Sequence, residues 1–138
     1  MSQKVALLVF ACDRYELLYK GFDYFFKTYW DQTVPIKKYF ATENKDLKLA
    51  GYTHLKSGNG EWTNRLKVVL NQIEEDYIIF FQEDMWLNKA PQPGALAQII
   101  DFVTANKIQL VKLHSAEFYA TQPQPQNFEG LLLSKLMK

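Results

Sequence analysis

The chain has 138 residues, enough for one packed core and too few for two domains of ordinary size. Hydrophobic residues make up 48% and charged ones 22%, which excludes disorder of the whole chain. A formal net charge of +1 provides no broad basic field, so nucleic acid is not expected as a partner.

Val5–Ala11 is apolar throughout and predicts a first strand. This run is too short to span a membrane and carries no small-residue cleavage site. No transmembrane segment is therefore expected, although attachment to a membrane surface is compatible with the sequence. Cys12 ends the run; as the lone cysteine it cannot close an intrachain disulfide, and a buried thiol in a reducing cytoplasm is the expectation. Asp13 with Glu16 three residues on matches a helix N-cap and its reciprocal partner. Leu18, Phe22, Phe25 and Tyr29 then mark one face of a helix, closed by Asp31–Pro35.

Ile36–Thr42 reads as a second strand and Tyr52–Leu55 as a shorter third, joined by the polar connector ENKDLKLAG. Ser57–Glu61 is a flexible turn, after which Thr63 or Asn64 caps a helix with Leu66, Val69, Leu70 and Ile73 on one stripe. Ile78–Phe81 predicts a strand buried on both faces. Pro91–Gly94 is a loop, Leu96, Ile99, Ile100 and Val103 mark another helix, and Leu110–Leu113 reads as a further strand. Residues 1–121 would form one domain, followed by a Pro-interrupted linker, Gln122–Asn127, and a short docking helix in EGLLLSKLMK. The order β-α-β-β-α-β-α-β predicts an α/β fold, a mostly parallel Rossmann-like sheet flanked by helices.

Chemistry concentrates where these strands end. Glu83 and Asp84 follow the Ile78–Phe81 run at once, and adjacent carboxylates there are costly unless they meet a metal, a cation or solvent. In open α/β sheets the crevice beyond the strand carboxyl ends is where ligands bind. Asp84, with Glu83, is thus the candidate holder of Mn²⁺ or Mg²⁺ bridging a diphosphate; the plainer alternative is a solvated strand end. In SGNGEWTNR, Gly58 and Gly60 permit positive φ, and Asn64 and Arg65 add donors near a helix start, although a plain turn reads equally. Asp13 and Arg14 sit where a base, ribose or phosphate would be met, while capping explains Asp13 locally. Trp62 and Trp86 flank this region and could stack a sugar or base. No Cys or His lies at metal spacing from His54 or His114, which disfavours a tetrahedral zinc site. His114 could reach the crevice as an extra ligand, a structural histidine being the plainer reading, and no serine stands in a nucleophile elbow.

Together ACDRYELL, SGNGEWTNR and IIFFQEDMWL, in that order, resemble the nucleotide-sugar-binding half of GT-A-type glycosyltransferases close to family 2, over Lys4–Leu113. The resemblance implies that Asp13 contacts the base or ribose, that Asn64 and Arg65 lie near the nucleotide, and that Glu83 and Asp84 occupy the metal and ribose positions. It implies a nucleoside-diphosphate sugar as donor, a saccharide or other hydroxyl as acceptor, and Glu117 as candidate base. The family's Asp-x-Asp reads here Gln82-Glu83-Asp84 or Glu83-Asp84-Met85, so one carboxylate is absent in either alignment. The expectation is a cytoplasmic glycosyltransferase or its donor-binding domain. Alternatives are a non-catalytic nucleotide- or sugar-binding module working with a partner chain or as a homo-oligomer, and an interaction domain with vestigial site features.

Overall fold

The structure is a computed structural model that describes residues 4–31 and 33–111, and the backbone of 121–128 and 131–136. It falls into two compact units, Met1–Pro93 and Gly94–Lys138. The first unit holds β1 (Val5–Phe10), a short 3-10 segment (Asp13–Leu18), α1 (Tyr19–Tyr29), β2 (Lys37–Thr42), β3 (Thr53–Lys56), α2 (Trp62–Leu70) and β4 (Tyr77–Gln82). The four strands make one sheet of order β3-β2-β1-β4, every pairing parallel. This is the α/β, Rossmann-like architecture expected from the alternation of strands and helices.

The alternation of side chains across the sheet decides which helix covers which face. Phe40 and Phe81 meet Phe22 of α1, with ring centroids 6.2 and 5.8 Å away. Ala6, Leu8, Phe10, Tyr39 and Ala41 point the other way and form one buried cluster with Val69 of α2. The order of connections accounts for this placement. The path from β1 to β2 moves one way along the sheet, and the path from β3 to β4 moves back past β1. Crossovers of one hand then put α1 and α2 on opposite faces. It also makes the gap between β1 and β4 the switch point, where loops diverge and ligands bind in sheets of this kind.

The second unit holds α3 (Ala95–Ala105) and the antiparallel pair β5 (Thr121–Phe128) and β6 (Leu131–Leu136). Two readings of the tail are corrected here. The segment Gln122–Asn127 is extended ladder and not a linker, with an irregularity between Pro123 and Asn127, and the LLLSKL run is a strand and not a helix. A short apolar run has no periodicity of its own to separate the two states, and prolines are tolerated on edge strands and at bulges. Leu110 and Val111 lie outside any strand, and the rest of the expected Leu110–Leu113 strand falls outside the described residues.

Candidate functional site

Because the strands are parallel, their carboxyl ends share one edge of the sheet, and a polar residue follows each one there. Asp13 stands just beyond β1, Glu43 follows β2, Ser57 follows β3, and Glu83 and Asp84 follow β4.

Asp13 is not the N-cap that its spacing to Glu16 implies. Cys12 holds the cap position without a side-chain bond, and the Asp13 carboxylate accepts three backbone N–H groups of the loop after β2. Those donors are Glu43 at 2.9 Å, Asn44 at 2.9 Å and Lys45 at 3.0 Å. In return the Asp13 N–H donates to Glu43 Oε2 at 2.8 Å. Partial burial works to raise the Asp13 pKa, but these bonds and the nearby Lys45 charge outweigh it and hold the carboxyl below its usual value. Asp13 therefore staples the loop after β1 to the loop after β2. A partner thirty residues away satisfies it better than its own helix could.

Arg65 is buried to 3% exposure, although the sequence places it on the first turns of a surface helix. Its Nη2 donates to the Ala11 carbonyl at 2.7 Å, its Nε to Ser57 Oγ at 2.9 Å, and its Nη1 to Cys12 Sγ at 3.4 Å. Glu43 Oε1 lies 3.7 Å from Nε, and the guanidinium sits 4.8 Å from the Phe10 ring centre. One side chain thus ties together the ends of β1, β2 and β3. Five donors in a rigid fork are what such a junction needs. The loop leading to α2 adopts the backbone its glycines permit, with Gly58 at φ 73° and Gly60 at φ 141°.

Glu83 and Asp84 part company at the end of β4. Glu83 turns inward and is only 5% exposed, whereas Asp84 lies exposed in the following turn. Burial raises the Glu83 pKa, and the neighbouring Asp84 charge adds to it. Its own backbone N–H, that of Cys12 and the Arg65 charge pull the other way without reversing the shift. Tyr19 closes the site from α1, its hydroxyl donating to the Cys12 carbonyl at 2.8 Å. Burial, then the charges of Asp13 and Glu83, push its phenol well above its usual value.

For a divalent ion, among the described residues no group of three His, Cys, Asp or Glu side chains is arranged to hold one. Glu83 is committed to backbone N–H groups, so the outward Asp84 is the carboxylate that fits such an ion. Mg²⁺ commonly takes one or two protein carboxylates and completes its shell with phosphate oxygens and water.

The remaining predicted residues separate. Arg14 is exposed and leans on its neighbour Tyr15, with its guanidinium 4.5 Å from the ring centre. Asn64 is exposed on the first turn of α2. Glu117 and His114 lie outside the described residues, while His54 is occupied with Thr42, Nε2 to Oγ1 being 2.7 Å. Trp62 meets the edges of Phe10 and Phe80 on the α2 face. Trp86 stacks on Phe25 of α1 at 5.5 Å and donates its indole N–H to the Glu83 carbonyl at 2.8 Å.

Glu43, Ser57 and Tyr19 are the site residues that sequence reasoning misses. The strand before Glu83 is not buried on both faces as its apolar run implies: β4 is the last strand in the sheet order, none of its residues is fully buried and Phe80 is 38% exposed. The signal that picks out Glu83, a polar residue directly after an apolar strand, applies equally to Glu43. No family model, curated protein or solved structure matches this chain. No helix of the described residues is long and apolar enough to cross a membrane.

Proposed function

We propose that the first unit binds a nucleoside-diphosphate sugar at the β1/β4 switch point and that the chain serves as a glycosyltransferase or its donor-binding domain. The observation that carries the reading is the exposed Asp84 beside the buried Glu83 at the end of β4, next to the loops that Arg65 draws together. Such a crevice, polar at the strand ends and backed by a fixed core, is where this class of sheet takes nucleotides. The resemblance of ACDRYELL, SGNGEWTNR and IIFFQEDMWL to GT-A enzymes supports the choice of nucleotide-sugar over nucleotide alone.

In this reading Asp84 would hold Mn²⁺ or Mg²⁺, which when bound would supply Lewis-acid neutralisation of the leaving group. Asn64 is exposed and would turn toward a phosphate or ribose directly, whereas Arg14, also exposed, would first leave the Tyr15 ring and hydroxyl. Asp13, Glu43 and Arg65 hold the loops and reach a ligand chiefly through the backbone they position.

Calorimetric titration of UDP, GDP and CDP, with and without Mn²⁺, into wild type and Asp84→Ala tests this. Metal-dependent binding of one nucleotide, lost in the variant, is the expected result. Binding without any transfer by the whole chain would favour a donor-binding module. No affinity for any of the three would sink both and leave an interaction domain.

A further inference from the structure

Trp86 is a large side chain whose placement the core does not explain. It lies two residues past Asp84 and keeps 42% of its surface exposed, yet three separate contacts fix it. Its indole N–H is bonded to the Glu83 carbonyl at 2.8 Å. One ring face rests on Phe25, which in turn stacks on Tyr29 at 6.4 Å with the planes 5° apart. Its six-membered edge fits the notch left by Gly21, where a Cβ would come within 2.4 Å of Cη2 and Cζ2. With the inner face and far edge covered, the exposed area is the outer face. Trp62 is equally exposed but sits on the opposite side of the sheet, edge-on to its neighbours, and no hydrogen bond fixes its indole among the described residues.

From this geometry we infer that the outer face of Trp86 is a stacking platform for the pyranose ring of a saccharide acceptor; the inference rests on the donor reading above. A rigid aromatic face offers contact area with little ordering cost on binding, and an apolar C–H face of a sugar matches it in shape and polarity. Trp86 follows Asp84 by two residues and is bonded to the Glu83 carbonyl, so a sugar stacked on it would be held near the group that would hold the donor diphosphate. Fixing the indole through the Glu83 carbonyl couples the platform to the acidic turn itself.

The full chain, labelled with ¹⁵N, carries three tryptophans and so gives three indole N–H resonances, assigned with Trp86→Phe. Methyl glucopyranoside, methyl galactopyranoside and methyl N-acetylglucosaminide, each as both anomers, are titrated with and without UDP and Mn²⁺. A saturable shift of the Trp86 resonance by at least one glycoside, with Trp30 and Trp62 unmoved, is expected. Trp86→Ala should abolish the sugar response measured by ligand-observed NMR, and Trp86→Phe should keep part of it. No response at Trp86 to any glycoside overturns the platform, as does a sugar response that survives Trp86→Ala. Because the wild-type titration decides on its own, a variant that fails to fold does not rescue the idea. UDP binding without sugar binding rejects the platform alone, and sugar binding at Trp86 without UDP binding rejects the donor reading instead.

Discussion

Arg65 concentrates more dependence than any other side chain in the described residues. Replacing it by Met removes the donors of the Ala11 carbonyl and Ser57 hydroxyl and leaves Glu43 without its cation. Breaking a buried charged junction in this way costs about 3–5 kcal/mol, to be read from urea denaturation. Lys should not restore it, since one ammonium cannot reach Ala11, Ser57 and Cys12 together. Glu83 predicts the opposite sign. Its raised pKa means the folded state holds its proton longer than the unfolded chain, so its contribution is complete in acid and diminishes as pH rises through the raised value. Glu83→Gln should therefore raise the urea midpoint at about pH 7, with the gain vanishing below about pH 4.5. Asp13 behaves conversely: its lowered pKa gives stability above the ordinary value that is lost as pH falls through the folded one. Asp13→Ala should flatten the acid limb of the stability profile, and a profile unchanged from wild type would contradict the staple. These roles are legible in the sequence only in part. Strand-end position picks out Asp13, Glu83 and Asp84, but nothing local reveals that Asp13 turns to a loop thirty residues away or that Arg65 points inward. Both outcomes come from tertiary convergence, which no window along the chain contains.

Among the elements, α1 carries two tests. Phe22 is buried against Phe40 and Phe81, so Phe22→Ala should destabilise by about 3–5 kcal/mol. Gly21→Ala would by helix propensity gain up to about 1 kcal/mol. The Cβ it adds overlaps the Trp86 ring, so the expected outcome is displacement of that indole, seen as red-shifted emission and a moved indole resonance. A stabilised protein with Trp86 unmoved would contradict the notch. Elements of the first unit are readable because each has a clear period or a long apolar run: Val5–Phe10, Tyr19–Tyr29, Lys37–Thr42 and Tyr77–Gln82 all fall where patterning puts them. The tail is misread because LLLSKL offers no period and the QPQPQN stretch looks like a linker by composition alone.

For the molecule as a whole, the sheet order and the sidedness of α1 and α2 follow from connection rules applied to a correct list of elements. The stapled network has a consequence for how this end of the sheet can move. The Ala11–Arg65 bond spans 54 positions and the Asp13–Lys45 bond 32, so no short segment can open without uncovering a buried guanidinium or a carboxylate. Amide hydrogens of residues 11–13, 43–45 and 57–58 should then exchange at nearly the rate of global unfolding. Loops at strand ends ordinarily exchange far sooner. What can still give way is the stretch beyond Trp86, where Asn88 to Gly94 are all exposed. Any yielding at this end of the sheet is thus confined to the chain beyond β4, while the β1–β3 side stands as a fixed anvil.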